Sequence, residues 1–475
     1  MGERLEPMSG VDTAWLHMDR PANPMQILGV LALDRRVRLE ALRRRIAARF
    51  LRHARFLARP VEAAIGAAWE RDETFDLDAH VREQVLPPRA GEAGLRRLLD
   101  RLASTPLDPA RPRWEFVLVQ VSPRRSVLVA RLHHCYADGV ALARLVLGLA
   151  DGAARGDPPR GAAGDPRDED DDPGPLADLA STLLTSAWRE SGALLERGLR
   201  LASQPAEAAK AAAAGLGMAA ELAQLALQPD EPASALRGAL SGTKRVAWAE
   251  PLPFTLVRAT ARALGCTIND LLVAAATGAL AAWLRARRGA PAGAPQLRAI
   301  VPVNLRSSGD DEALGNRFGL GLLTLPVGEP SARARLAAVR QRMQALKASR
   351  QPAATLALLA ALGLAPRALQ SGVVDLLSRK ATLVLSNVPG PREPLRLLGA
   401  AVDSTMFWVP QSGELGLGLS LLTCGGRVLF GVMADTALVP DPARIAARFP
   451  QELRRYARLA GVASLSRRAA PRARR

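Results

Sequence analysis

Residues 133–139 read His133-His134-Cys135-Tyr136-Ala137-Asp138-Gly139 and follow directly on a run, Ser126 to His134, that reads as a strand. Pro123 marks a turn before it, and Trp114 to Val121 reads as the strand preceding that turn. After Asp138–Gly139 the stretch Val140 to Leu149 turns helical. Neighbouring side chains on a strand point to opposite faces. His133 and His134 therefore cannot both reach one reacting atom, or one metal ion, without a break in the strand. One is expected to act and the other to support. With Asp138 they match no metal-ligand spacing, so no metal site is expected. A histidine that takes up a proton in catalysis needs a neighbour to fix its tautomer. On spacing alone, two satisfied structural histidines account for the pair equally well.

Working outward, the 475 residues are too many for one typical domain. Residues 1–155 mix helix and strand, with Leu42 to Phe56 as a basic amphipathic helix. Residues 156–243 open on a Pro, Gly and Asp-rich linker, Gly156 to Pro175, containing the acids Asp168 to Asp172. An Ala/Leu-rich helical stretch follows from Leu176 to Leu227, interrupted near Pro205, whose apolar face is expected to pack on the protein rather than rest on a membrane. Residues 244–465 return to an α/β pattern. Helices are expected at Phe254 to Leu264, Thr267 to Ala286 and Arg333 to Ser349. Strands are expected at Leu297 to Val303, Leu320 to Leu325, Thr382 to Ser386, Gly416 to Leu422 and Val428 to Met433. Cys424-Gly425-Gly426 has the composition of a hairpin turn. Residues 466–475 form a basic tail expected to be disordered.

The formal charge is +18, and only Lys210, Lys244, Lys347 and Lys380 among the basic residues are lysines. The arginines are scattered rather than striped and aromatics make up 4%, so nucleic-acid binding is not expected. Compositional drift toward Ala and Arg accounts for the charge equally well; the remaining reading is attraction to anionic lipid headgroups or to a phosphorylated acyl carrier. Cys135, Cys266 and Cys424 are widely spaced with no Cys-x-x-Cys pair, which fits a reducing compartment. The first twelve residues carry acids and no apolar segment of the kind a signal peptide needs. The longest uncharged run, between Arg350 and Arg367, contains Pro352 and Pro366 and falls short of the ~20 residues a membrane span needs.

His133 to Gly139 fits the HHxxxDG signature of the CoA-dependent acyltransferase superfamily, which includes chloramphenicol acetyltransferase and peptide-synthetase condensation domains. Five further segments resemble those of the bacterial wax ester synthase/diacylglycerol acyltransferase family. These are Met8-Ser9-Gly10-Val11-Asp12 through Pro24-Met25, Pro112-Arg113-Trp114-Glu115, Thr267-Ile268-Asn269-Asp270, Gly315-Asn316-Arg317-Phe318-Gly319, and Ser386-Asn387-Val388-Pro389-Gly390-Pro391. HHxxxDG alone marks the superfamily; the six segments together are specific. Arg113 stands where the family has Leu, a departure that bears on packing around Trp114 rather than on the chemistry.

The resemblance implies an α/β (α+β) fold of two chloramphenicol-acetyltransferase-like lobes with an active-site tunnel between them. It implies direct transfer from a long-chain acyl-CoA to diacylglycerol or a fatty alcohol, without an acyl-enzyme and without a cofactor. His134 would be the general base, His133 its support, Asp138 an architectural residue pairing with an arginine, and Gly139 part of the motif. Asn269, Asp270, Ser386 and Asn387 are candidates for the substrate channel or the oxyanion site. Asp270 has a second explanation as the partner of Thr267 in a capping box, and Ser386–Asn387 as part of a rigid turn. Cys135 beside His134 invites a thiol-nucleophile reading that direct transfer does not need. The apolar acceptors imply a cytoplasmic protein attached peripherally to a membrane or lipid-droplet surface. Two rivals are a superfamily acyltransferase working on a carrier-bound acyl group, and a non-catalytic lipid-binding protein.

Overall fold

The computed structural model describes residues 5–151, 205–287, 296–305 and 315–462. The linker Gly156 to Pro175, the helical stretch before Pro205 and the basic tail lie outside the described residues.

A six-stranded sheet carries the histidine motif. Its order is Arg396–Leu397, Ala400–Trp408, Gln26–Leu33, Arg125–His133, Trp114–Ser122, Val81–Val85. The motif strand is central: Gln26 pairs with His133 on one side, and Trp114 with Leu132 on the other. The Gly91–Ser104 helix buries Leu95, Leu98, Leu99 and Ala103, the i, i+3, i+4 stripe of an amphipathic helix. The basic helix runs Leu39–Arg49 and stops short of the expected Phe56. Phe50 and Phe56 stack at 4.0 Å, which bends the chain back into a 3-10 turn at Ala54–Leu57.

The second sheet has seven strands. Six follow in the order Phe318–Leu325, Leu297–Asn304, Leu383–Pro389, Leu417–Cys424, Arg427–Asp435, Lys244–Trp248, and Leu252–Pro253 pairs with Arg427–Asp435. All five strands expected in this half are present within a few residues of their expected bounds. Gly425 and Gly426, at φ 57° and 69°, make the hairpin turn. The helices Ile268–Ala286, Ala332–Ala348 and Pro442–Leu459 pack together beside this sheet. The buried run Leu271 to Ala276 is small or aliphatic, so neighbouring helices approach closely without bulky side chains.

One strand departs from the division by sequence. Ala400–Trp408 lies far along the chain yet pairs antiparallel with Gln26–Leu33 in the first sheet. It covers what would otherwise be an open edge. It also ties the two halves together, because the Trp408 indole donates to the Ala247 carbonyl at 3.1 Å. Lys244 adds a buried link: its ammonium bonds the Asn23 side chain and sits 3.5 Å from Asp435, and burial depresses its pKa to about 8. The helix Gly10–His17 crosses helix Gln351–Leu362 at Gly10, where a Cβ would come within 2.1 Å of the Ala360 carbonyl oxygen. The described part of the Pro205–Leu227 helix also packs on Gln351–Leu362; Leu225 is buried while Leu216 and Leu227 are exposed.

Among the described residues no single helix is long and apolar enough to cross a membrane. The bent pair Phe254–Leu264 and Ile268–Ala286 qualifies by length and composition together, but both helices are built into the second core.

Candidate active site

The motif strand ends at His133, and the backbone N–H of His134 donates to the Met25 carbonyl at 2.8 Å. From there the two rings diverge. His133 turns toward Asp19, with Nε2 lying 3.4 Å from Oδ2, an ion-pair distance without hydrogen-bond alignment. The Cys135 backbone N–H donates to His133 Nδ1 at 3.2 Å. That bond requires Nδ1 to accept, so the proton of a neutral ring sits on Nε2 and faces the carboxylate. Burial holds the His133 pKa below its ordinary value against the pull of Asp19.

Asp19 is shared. Arg113 Nη1 lies 3.2 Å from the same Oδ2, and the Met25 amide donates to Oδ1 at 2.9 Å. Burial pushes the Asp19 carboxyl up, but His133, the Met25 amide and Arg113 outweigh it and hold the pKa below the usual range. Arg113 therefore does more than pack beside Trp114. It braces the carboxylate that faces His133, and its own backbone N–H donates to the Tyr136 hydroxyl at 2.9 Å. Trp114 is itself fully buried, with its indole donating to the Phe56 carbonyl at 2.8 Å.

His134 enters a different environment. Its ring stacks on Trp15 at 4.5 Å and lies 5.6 Å from Phe318. Nδ1 is sealed from solvent with no hydrogen-bond partner, whereas Nε2 is not among the sealed atoms. Nε2 is thus the nitrogen able to meet a substrate. Burial depresses the His134 pKa to about 4; the charge of Asp138 pulls it up, but not enough to offset this. The ring is therefore neutral at neutral pH and free to take a proton.

Asn316, itself anchored by Asp12 from a distant part of the chain, holds this histidine's carbonyl. Asn316 Nδ2 donates to the His134 carbonyl at 2.9 Å and to Asp12 Oδ1 at 2.7 Å, and the Asn316 backbone N–H donates to the same Asp12 oxygen at 3.1 Å. Asp12 is fully buried, which raises its pKa, with Arg55 at 3.6 Å opposing the rise. Asp12, Trp15, Asp19 and Asn316 all fall in or beside segments that carry the family resemblance, but no local pattern marks them individually. Their role is visible only when residues 304 positions apart meet.

The remaining candidates separate. Asp138 is the N-cap of helix Gly139–Leu147, accepting from the Ala141 amide at 2.8 Å. A Cβ on Gly139 would meet only Ile27 at an ordinary 3.8 Å, so neighbour packing does not demand a glycine there. Asp270 completes a capping box with Thr267 at 3.0 and 3.2 Å. Asn269 and Asn387 come together, Asn387 Nδ2 donating to Asn269 Oδ1 at 2.9 Å. Among the described residues no hydrogen bond joins that pair to His134. Ser386 is half-buried on strand Leu383–Pro389, opposite Ser420 of the parallel neighbour. The Cys135 thiol is fully buried and its pKa is pushed well above the ordinary value, so no thiolate nucleophile is available. A pocket lined by His17, Arg20, Gln370 and Val374 opens beside helix Gly10–His17, but includes neither histidine of the pair. Among the described residues no three His, Cys, Asp or Glu side chains cluster as metal ligands would.

Residues 8–272 match the wax ester synthase/diacylglycerol acyltransferase catalytic domain, and residues 314–456 match the C-terminal domain of the same family. The chain belongs to this family. As a member of the wax ester synthase/diacylglycerol acyltransferase family it is an acyltransferase. A probable diacylglycerol O-acyltransferase of Mycobacterium tuberculosis is 31% identical over 389 residues, covering 80% of this chain and 78% of that protein. The wax ester synthase/diacylglycerol acyltransferase from Marinobacter aquaeolei shares the fold, with a TM-score of 0.64 at 22% identity, over 96% of this chain and 100% of that one. So does a variant of the starter condensation domain of rhizomide synthetase in complex with C8-CoA and Leu-SNAC. Its TM-score is 0.59 at 16% identity, over 96% of this chain and 94% of that one.

Proposed function

We propose that this acyltransferase moves the acyl group of a long-chain acyl-CoA to the hydroxyl of diacylglycerol, of a long-chain fatty alcohol, or of both, with His134 as general base. The observation that carries the reading is the state of His134: a neutral ring, with Nδ1 sealed and Nε2 left to meet substrate. Its relatives bear on the substrates, since the mycobacterial protein is named for diacylglycerol and the condensation domain of the same fold holds C8-CoA.

In this mechanism both substrates are bound together, as direct transfer without an acyl-enzyme requires. His134 Nε2 removes the hydroxyl proton as the oxygen attacks the thioester carbonyl. A tetrahedral oxyanion forms and collapses, breaking the C–S bond, and His134 returns the proton to the departing thiolate. A pKa of about 4 makes the resting ring a weak base, but it leaves essentially all of the protein in the proton-accepting form at neutral pH. The oxyanion forming close by raises the ring's affinity for the proton at the moment of transfer. His133, Asp19 and Arg113 keep the loop in place without contacting substrate. Asp138 anchors the following helix.

The acceptors are apolar and partition into membranes, so we place the protein at the inner membrane face or on lipid inclusions as a peripheral protein. Its charge of +18 supports this, as do the exposed Leu364 and Leu369 flanking Arg367. The test is incubation of purified protein with labelled palmitoyl-CoA and either diolein or hexadecanol. Triacylglycerol, wax ester or both are expected, and no ester with either acceptor would sink the proposal.

A further inference from the structure

The segment that holds both histidines is itself held from the other half of the chain. Asp19 to Met25 makes a tight turn, in which the Asn23 amide donates to the Arg20 carbonyl at 2.9 Å and the Arg20 amide to the Asn23 carbonyl at 3.3 Å. At one end the Asp19 carboxylate faces His133; at the other the Met25 carbonyl accepts the His134 amide. The Met25 amide closes the turn on Asp19 at 2.9 Å. Pro21 and Pro24 stiffen it, since a proline fixes its own φ and confines the residue before it to extended backbone. A displacement of Asn23 therefore reaches Met25 across a single rigid residue.

Asn23 is 1% exposed, and its side chain bonds three groups of the second half. Nδ2 donates to the Gly413 and Leu415 carbonyls at 2.8 and 2.9 Å, and Oδ1 accepts from Lys244 Nζ. The Lys244 ammonium is buried on strand Lys244–Trp248, 3.5 Å from Asp435. Asp435 in turn accepts from the Ser241 and Gly242 amides at 3.0 and 2.9 Å, which fixes the loop leading into Lys244. That loop lies against the histidine-bearing turn, because a Cβ on Gly242 would sit 3.5 Å from the Ala22 Cα. Stability does not call for a buried ammonium here, since a well-packed apolar side chain in place of a buried ion pair is often as stable. The lysine supplies what an apolar side chain lacks: a charge-assisted, directional bond to Asn23.

We infer that Lys244 is a positioning residue for acyl transfer: through Asn23 it sets the turn that holds His133 and His134, so the second half of the chain places the base carried by the first. This rests on the acyl-transfer reading above. Burial lowers the Lys244 pKa to about 8 against the pull of Asp435, so the ammonium is present at neutral pH and is lost as pH rises through that value. The neutral amine left behind is a weaker donor to Asn23. Among the described residues Asp435 is the charge set against the ammonium. Asp100, on the helix Gly91–Ser104 that packs on this strand, accepts from the Val246 amide instead, and Arg245 donates to the Pro440 carbonyl. Helix Pro442–Leu459 packs on the strand too and buries uncharged residues such as Ile445 and Phe449. On the turn, Asp19 is engaged by Arg113 and Arg20 by Asp375.

The test uses the full-length protein with palmitoyl-CoA and whichever acceptor yields ester, with ester formation followed between about pH 7 and pH 9.5. Lys244→Met keeps the length of the side chain and removes the ammonium. Its kcat at neutral pH is expected to fall on the order of 10-fold, part of the roughly 100-fold that a 1 Å misplacement costs, with KM for palmitoyl-CoA within about twofold. Wild-type kcat is expected to decline toward the Lys244→Met level as pH rises through about 8, and Lys244→Met to show no such decline. Asn23→Ala is expected to behave as Lys244→Met does, and the double variant to fall no further, because both changes break one link. Should Lys244→Met fail to fold, Asn23→Ala and the wild-type profile decide in the same way. A folded Lys244→Met within about twofold of wild-type kcat, an alkaline decline that persists in the variants, or a flat wild-type profile overturns the inference. A purely structural lysine gives the first of these results, since the molecules that fold then work normally. His134→Ala assayed alongside separates the two levels. If it is inactive while Lys244→Met is fully active, only the role of Lys244 falls. If wild type makes no ester, or His134→Ala keeps wild-type rates, the reaction reading falls and the inference with it.

Discussion

Acidification acts on His134 with a sign and size that follow from its burial. The imidazole is buried, stacked on Trp15 and near Phe318, and desolvation of the cation takes its pKa from 6.5 to about 4. In the unfolded chain the same ring titrates near its ordinary value. Between those two values the unfolded chain binds a proton that the folded protein excludes, so stability rises with pH across that window. The contribution is complete above pH 6.5 and is lost as pH falls through about 4. At about 1.4 kcal/mol per unit, the loss across the window comes to about 3 kcal/mol.

His134→Gln isolates this contribution, because glutamine has nearly the same bulk and does not titrate. Urea unfolding of both proteins, followed by tryptophan fluorescence at about pH 7.5 and pH 4.5, gives the comparison. Wild type is expected to lose about 2–3 kcal/mol more than the variant between the two conditions. His133, whose pKa is also depressed by burial, titrates in both proteins and cancels in the difference. A difference that changes by less than about 0.5 kcal/mol would refute the reasoning that burial keeps the base neutral.

Asn316→Ala removes the donors to Asp12 and to the His134 carbonyl, leaving a buried carboxylate under-satisfied; it is expected to cost about 2–4 kcal/mol by urea unfolding and to lower kcat. Asp270→Ala removes one arm of the Thr267 capping box and is expected to cost about 1 kcal/mol, with kcat unchanged, so a steady-state assay that finds a large kcat loss would return Asp270 to the channel. Cys135 is fully buried with its thiol pKa raised, so iodoacetamide on the native protein is expected to leave it unlabelled by mass spectrometry, and Cys135→Ala is expected to keep activity.

Much of this arrangement is legible in the sequence because it is local. The sequence predicts that the two histidines face apart along a strand through His134. The strand instead ends at His133, His134 lies in the turn that follows, and the rings go to Asp19 and to Trp15. Helix Phe254–Leu264 lies where the pattern puts it, because Pro253 and Gly265 mark its ends. The crossing of Ala400–Trp408 into the first sheet is not legible. Its outer residues Val402, Asp403 and Ser404 do not alternate cleanly, and its pairing with Gln26–Leu33 consists of backbone bonds that no side-chain pattern encodes. Asp12 and Asn316 were hidden for a similar reason, since each is an isolated polar residue until the fold brings them together under His134. Arg113 looked like a packing variant because its partner, Asp19, lies 94 positions away.

The central claim is that His134 carries the proton in acyl transfer, and it is tested most directly by the rate of ester formation in His134→Ala. The measurement is kcat/KM with labelled palmitoyl-CoA and the productive acceptor, on protein whose folding is checked by thermal unfolding. The account predicts a loss of roughly 10²–10⁴-fold in a folded protein. A folded His134→Ala variant within about twofold of wild type would contradict the account, since loss of a general base costs far more than that.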